Sequence, residues 1–479
     1  MSDEVNINRT LSFSREDMRR IGYRVIDLLV DQLADLGEKP ASSTAKRADM
    51  EYIISESVPE EGSDFEVVLD TVVKDIMGNN MFENHPRFFG FIPGPGNFVG
   101  TMADALASGF NIITCTWFES SGAAAVELAA IRWLAELLRL PAGAGGMFVS
   151  GGSEANLTGL AVARRVKLGN DIGKGAIYFS DQTHSSVEKG LMVLGFGRDR
   201  IKKIATDDLF QIKIDALKDA IAEDRKEGKL PFLVIANAGT TNTGAVDPLV
   251  ELSELCKEEG LWLHADGAFG ASAVITEKGA SILSGIERVD SLSIDPHKWL
   301  FQPFGIGCVL VRDANLLRET FQIRPEYMQD AEVLHGEVNF YELGIHMSRN
   351  FKALKLWMSL KLFGLDAFRE AISWGFTLAE HAEEVLKKSG RWQVAAPASL
   401  AIVAFRFVQK DLSEEEVDEV NNKIVDMMVD DRFAMVSSTK LRGRVFLRMC
   451  TINPRTTFED IEETIARLER FGVEIVEEK

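Results

Sequence analysis

Between Gly146 and Arg312 the chain repeats one pattern: a short apolar run, a polar or small residue at its end, then an amphipathic stretch of helical period. The runs are Gly146–Val149, Ala176–Ser180, Pro231–Asn237, Leu261–His264, the segment around Leu292 and Ile294, and Ile306–Arg312. Helical periodicity falls between them, continuing from Ser153 to about Lys167 and over Ile214–Glu227 and Val250–Glu259. Strands alternating with helices predict an α/β fold with a mostly parallel central sheet. Such a sheet delivers the residue after each strand to one common edge, where ligands of open α/β sheets bind.

Those strand-end residues are of chemical type. Ser150-Gly-Gly-Ser-Glu-Ala-Asn156 follows the first run and opens a helix, so free backbone N–H groups and the positive helix end face whatever docks there. Gly152 permits close approach and Ser153 adds a hydroxyl, a combination suited to a phosphate; a plain serine cap is the competing account. The next run ends in Asp-Gln-Thr-His184, whose imidazole can stack on a flat ring or make a structural hydrogen bond. Another ends near Thr241, which can bond a ring substituent or serve the turn. Asp266 closes Leu-Trp-Leu-His-Ala-Asp, a place where a carboxylate needs a partner. Ala268, two residues on, leaves room for a ring.

Ser291-Leu-Ser-Ile-Asp-Pro-His-Lys-Trp299 then places Lys298 directly after a buried run. A lysine there can act as an amine nucleophile and hold pyridoxal 5′-phosphate (PLP) as a Schiff base, or it can snorkel beside a helix start. A carboxylate such as Asp266 can pair with the protonated pyridine nitrogen of PLP and make the ring an electron sink. Phosphate site, imidazole, carboxylate and lysine arrive in order at successive strand ends, which unrelated turns and caps would have to reproduce by accident.

Flanking segments complete the plan. Residues 14–37 predict a helix capped by Ser14 with an apolar stripe through Ile21, Val25, Leu28, Leu29 and Leu33; a second helix is expected at 64–77. This arm cannot make its own core and should pack on the body or on a second subunit. His85–Gly100 joins aromatics to Gly and Pro, as a turn or as a pocket wall. After an amphipathic helix at Arg349–Phe363, the tail from about 371 alternates helices (371–388, 413–430, 457–471) with strands near 400–408 and 444–450. The expected organisation is a helical arm at 1–95, a large α/β domain at 96–370 and a small α+β domain at 371–479.

Composition excludes several function classes. Lys+Arg total 53 against Asp+Glu 73, a net charge of −20 that disfavours nucleic acid and anionic membrane as partners. No apolar run approaches the roughly 20 residues that span a bilayer. The start of the sequence lacks the basic and apolar segments of a signal peptide. Cys115, Cys256, Cys308 and Cys450 are far apart, which indicates neither a metal site nor a disulfide framework and fits a cytoplasmic location. A GxGxxG turn and a GxxxxGK[ST] loop are both missing, so nucleotide readings have no support.

The strand-end motifs, with Asp181-Gln-Thr-His-Ser-Ser-Val187, Ala238-Gly-Thr-Thr241 and Ser348-Arg-Asn-Phe-Lys-Ala-Leu-Lys-Leu-Trp357, resemble the group II PLP-dependent amino-acid decarboxylases of fold type I, close to the aromatic-L-amino-acid decarboxylases. The resemblance spans nearly the whole chain. It implies Lys298 as the amine bonded to PLP, Asp266 on the pyridine nitrogen and His184 over the ring, with Gly152, Ser153, Asp295 and His297 at the phosphate end. It implies a loop tyrosine, Tyr327, that reaches the neighbouring subunit's site in a homodimer and returns a proton after CO2 departs. Phe91, Pro93, Gly94, Phe110 and His184 are expected around the amino-acid substrate, and the apolar members favour an aromatic side chain. An aldehyde synthase, or a decarboxylase of acidic amino acids with Arg87 as its basic group, are the alternatives. Two departures stand out: Asp295 occupies a position where many relatives carry Asn and should repel a phosphate unless protonated or turned away, and Gly94 lies where some relatives have a hydroxyl residue.

Overall fold

The computed structural model describes residues 11–323, 326 and 336–478. Seven strands form the main sheet: β1 (Gly145–Val149), β2 (Gly175–Ser180), β3 (Ile201–Ile204), β4 (Leu230–Asn237), β5 (Trp262–Asp266), β6 (Ser291–Ile294) and β7 (Gly307–Val311), in the order β1-β7-β6-β5-β4-β2-β3. Only β7 runs against its neighbours, β1 and β6; the other pairings are parallel. The sheet is α/β and mostly parallel, as the alternation predicts. Strands β2, β5, β6 and β7 are buried at every position, because helices cover both faces. Fully buried side chains such as Leu233, Val234 and Ile235 each stabilise the fold by about 1.5–3 kcal/mol through removal from water.

Parallel direction has a consequence for placement. β2, β4, β5 and β6 all finish at the same edge, with Ser180, Asn237, Asp266 and Ile294 as their last residues. The Asp295–Lys298 turn follows there, and the helix Gly152–Leu168 starts there.

The second sheet is antiparallel, in the order β10 (Ser437–Leu441), β11 (Arg444–Cys450), β9 (Ile402–Phe407), β8 (Trp392–Val394). The helices Glu414–Asp431 and Phe458–Glu477 pack on it around Phe405, Phe407, Leu447 and Met449. Both helices start with a capping box, Ser413 with Glu416 and Thr457 with Asp460. The helices expected at Arg349–Phe363 and 371–388 follow one another within Ala353–Ser389, separated at a kink, and pack on the helices Phe98–Gly109 and Trp117–Leu137 and on β8 and β9 of the small sheet. The kink is a single residue, Gly364 at φ 73°, a positive-φ conformation that glycine adopts without steric cost.

At the other end, Ser14 caps the helix Arg15–Ala34, its side chain accepting from the Asp17 N–H. None of that helix's 20 residues is buried. The second arm helix, Phe65–Thr71, continues as a π-helical turn over Val72–Met77.

Candidate active site

A cavity of about 360 Å³ opens at the carboxyl edge of the large sheet. Lys298, Asp266, His184, Gly152, Ser153, Thr241, Ala268, Asp295 and His297 all line it, so the structure brings together the residues expected from five strand ends.

Lys298 sits one turn past β6, its Nζ 3.0 Å from Asp295 Oδ2. The His297 Nε2 lies 3.7 Å from the same oxygen, while its Nδ1 is 2.7 Å from the Ile306 carbonyl and therefore carries a proton. Burial lowers the His297 pKa, so the imidazole favours its neutral form. The Asp295 carboxylate thus faces Lys298, and the same oxygen also faces Gly152 and His297 at the expected phosphate end, so it is not turned away from that end. Its other oxygen, Oδ1, is buried with no hydrogen-bond partner. Glycines make this crowding possible. A Cβ on Gly152 would stand 2.7 Å from Asp295 Oδ2 and 3.0 Å from the Ala268 Cβ, and one on Gly307 would stand 2.7 Å from Asp295 Oδ1.

Asp266 accepts from three directions: Asn156 Nδ2 at 3.0 Å, Ser293 Oγ at 3.2 Å and the Ala268 N–H at 3.2 Å. His184 is held from below, its Nδ1 2.8 Å from Ser186 Oγ and 3.3 Å from the Ser186 backbone nitrogen. Asn237 donates to Ser180 Oγ (2.9 Å) and Asp247 Oδ2 (2.9 Å), tying the ends of β2 and β4 together. Burial pushes the Asp247 carboxyl up to about 6, against the Asn237 and Ile212 N–H groups that favour its charge.

The donor set fits PLP. A helix start with glycine and serine suits the phosphate, an acceptor-only carboxylate suits a ring N–H, Ala268 leaves space for the ring, and a lysine amine is within the same cavity.

Other expected residues lie elsewhere. Phe91, Pro93, Gly94 and Phe110 do not line this cavity. Gly94 packs against the His297 backbone, where a Cβ would be 2.6 Å from the carbonyl oxygen, so the segment borders the site from outside. Phe91 is 55% and Phe110 76% exposed. Tyr327 lies outside the described residues. Arg87 is committed to structure: it donates to the Phe433 carbonyl (2.8 Å) and the Gly37 carbonyl (3.1 Å), and pairs with Asp460 at 3.3 Å. Sequence reasoning missed the supporting roles of Asn156, Ser186, Asn237 and Ser293. Asn156 does stand in the Ser-Gly-Gly-Ser-Glu-Ala-Asn motif, but the partner that explains it is 110 residues away.

Comparison with known proteins gives the same direction. The family model of the pyridoxal-dependent decarboxylase conserved domain matches residues 48–408. An aromatic-L-amino-acid decarboxylase of Bacillus atrophaeus is 48% identical, with 98% of each chain covered. A phenylacetaldehyde synthase of Petunia hybrida is 30% identical over 93% of this chain and 92% of its own. The solved structure of Catharanthus roseus tryptophan decarboxylase in complex with L-tryptophan superposes with a TM-score of 0.89 at 29% identity, covering 96% of this chain and 99% of that one. With the cavity's residues and this match over most of its length, the chain belongs to the pyridoxal-dependent decarboxylases, and its cofactor is PLP.

Proposed function

We propose that the protein is a carboxy-lyase that removes the α-carboxyl group of an aromatic L-amino acid as CO2 and releases the amine. The convergence of Lys298, Asp266 and His184 on one cavity carries the reading, in a chain related over 98% of its length to an aromatic-L-amino-acid decarboxylase.

PLP, when bound, takes up the electron pair left on Cα as the carboxyl group departs. The chain's residues do the rest. Gly152 and Ser153 at the helix start, with His297, hold the phosphate end. Lys298 would supply the amine that retains the cofactor and would yield it to the substrate amine; Asp295 holds the free Lys298 ammonium before the cofactor is bound. Asp266 pairs with the ring N–H, and its three donors fix the carboxylate so that no reorganisation is needed during the reaction. His184 and Thr241 line the same cavity, where His184 would cover the cofactor ring and meet the substrate carboxylate and Thr241 would bond a ring substituent. Tyr327 returns a proton to Cα, a role resting on the family resemblance alone. Phe91, Pro93, Gly94 and Phe110 do not line the cavity of one chain, so an apolar side-chain pocket made by them would be completed by a second copy of the chain. Arg87, the basic candidate for an acidic substrate, is occupied by Asp460 and two carbonyls, which supports the aromatic class.

The reading extends to assembly. A 20-residue amphipathic helix without a buried residue, together with exposed Tyr23, Val67, Val68 and Phe118, supports a homodimer in which the arm at 1–95 packs on a second copy and Phe110 is covered. The large domain at 96–370 and small domain at 371–479 would each keep their own sheet. All four cysteines are free and buried, consistent with a reducing cytoplasm.

Product analysis of the PLP-loaded protein with Trp, Phe, Tyr, 3,4-dihydroxyphenylalanine, Glu and Asp tests this. Amine and CO2 in equal amounts from an aromatic substrate are expected. Aldehyde with hydrogen peroxide would move the protein to the synthase reading that the Petunia relative represents, and turnover confined to Glu or Asp would overturn the substrate class.

A further inference from the structure

A carboxylate stands where the cofactor's phosphate is expected. Asp295 Oδ2 is 2.7 Å from the place a Cβ on Gly152 would take, at the start of the helix, and 3.7 Å from His297 Nε2. Free backbone N–H groups at that start favour a phosphate, and a carboxylate beside them repels one. Before the cofactor arrives a cation answers the carboxylate: Lys298 Nζ is 3.0 Å from the same Oδ2. That amine is the one assigned to the cofactor. Once it is engaged, Asp295 loses its ammonium just as a second anion comes to the same end of the cavity.

The neighbouring charges are already committed. Among the described residues lining the cavity, Lys298 is the only lysine or arginine. Lys355, whose charge also acts on His297, is held by Asp104 at 2.7 Å and by the Pro303 and Phe304 carbonyls at 3.2 and 3.0 Å. Cys308, on β7 beside Asp295, keeps its proton because burial pushes the thiol well above its usual range, and Arg349 beyond it pairs with Glu127. Across the cavity Asp266 and His184 have the partners given above, and Glu154 accepts from Ser150.

A proton can take the cation's place. His297 Nδ1 donates to the Ile306 carbonyl, so Nε2, on the Asp295 side, is the basic nitrogen, kept neutral by burial until an anion arrives. Asp295 Oδ1 is buried with no hydrogen-bond partner, so the charged carboxylate is short of donors. Two such groups titrate as a pair. We propose that the Asp295–His297 pair takes up one proton from solvent as PLP binds, so that the chain's hold on its cofactor weakens as pH rises. This rests on the reading of Gly152 and Ser153 as the phosphate end. The sign follows from linkage, since the state that holds more protons is favoured at low pH.

Calorimetric titration of the apo protein with PLP at pH 8, in two buffers free of primary amines and phosphate but differing in ionisation enthalpy, counts the protons. The phosphate is a dianion there, its second ionisation lying at about pH 6. Wild type should take up about one proton per PLP, and Kd should rise about tenfold between pH 7.5 and 8.5. Asp295→Asn should take up almost none and bind with a flat pH profile. Lys298→Ala, which forms no bond to PLP, should keep the uptake, and the double variant Lys298→Ala/Asp295→Asn should lose it; this pair decides if Asp295→Asn alone does not fold. The ³¹P shift of bound PLP should be that of a dianion. Equal uptake with and without Asp295, or a monoanion shift, overturns the inference. Ser153→Ala separates it from the reading beneath: weaker binding with an uptake that Asp295→Asn leaves intact overturns the inference alone, whereas unweakened binding overturns the phosphate end as well. Proton uptake as described in a protein that decarboxylates no aromatic substrate would sink the functional reading and leave the inference standing.

Discussion

Strand β5 of the large sheet and strand β9 of the small one are both buried along their whole length, yet they handle polar groups in opposite ways. β5 carries His264 and Asp266 inward, onto a buried hydrogen-bonded cluster and a cavity, and every partner is itself buried. β9 carries Arg406, equally buried, but its guanidinium reaches outward to Glu414 and Asp418, which are 57% and 26% exposed. Burying a polar group without a fixed partner costs free energy, so a protein spends that cost where function requires it. At the carboxyl edge of the large sheet, polar burial is organised around a site. In the small sheet it is a local staple on an ordinary apolar core.

The largest expected break in this contrast comes from Lys298→Ala. Removing the amine should lower decarboxylation by about 10⁴-fold or more while the melting temperature stays close to wild type, because the side chain contributes a site and little packing. Steady-state rates together with calorimetry would check both halves.

Next in size is Glu127→Ala. Glu127 and Arg349 pair while almost fully buried under β1, and Arg349 also donates to the Phe148 and Thr114 carbonyls. Removing the acid leaves a buried cation without its counter-charge, so urea unfolding should show a loss of about 3–5 kcal/mol. The matching change in the small sheet, Arg406→Met, leaves two carboxylates that water can reach and should cost no more than about 1 kcal/mol by the same measurement.

Between these lies a pH effect that has one histidine in each region. His85, which bridges the arm to the small sheet, is lowered to about 4 by burial and by the Arg87 charge; His264 is lowered to about 4 by burial. Both folded-state values lie below the usual 6.5, so the unfolded chain takes up protons that the folded one refuses. Stability should be full above pH 6.5 and fall as pH drops toward 4, by up to about 1.4 kcal/mol per pH unit for each histidine. Asp247 acts in the opposite sense. Its value of about 6 is raised, so the folded state protonates first and gains stability from pH 6 down to about 4. His85→Gln and His264→Gln should each flatten the acid limb of a urea-against-pH series, with Asp247 offsetting part of that limb in both.

The contrast also explains what a sequence can reveal. The strand ends were legible because parallel strands make position along the chain equivalent to position at the edge: Asp266 and Lys298 are visible as chemical residues closing apolar runs. Strand β3, Ile-Lys-Lys-Ile, was not, because a short edge strand with two lysines shows no apolar pattern. Strand β10, Ser-Ser-Thr-Lys-Leu, hid for the same reason. The two helices within Ala353–Ser389 were legible as separate because Gly364, non-helical at φ 73°, breaks the periodicity between them. The partners of Asn156 were beyond reach, since they are 30, 108 and 110 positions away and only the fold brings them together. The placement of the Phe91–Gly94 segment outside the cavity also follows from the fold: its backbone is tied to the small sheet through Ser437 and Arg448.

The central claim is that the lysine after β6 holds the cofactor at the large sheet's carboxyl edge. Borohydride reduction of the PLP-loaded protein, followed by proteolysis and mass spectrometry, tests it most directly. The account predicts a single phosphopyridoxyl-modified peptide, with the modification on Lys298 and lost in Lys298→Ala. Modification of a different lysine, or none after reduction of a protein that retains PLP, would contradict it.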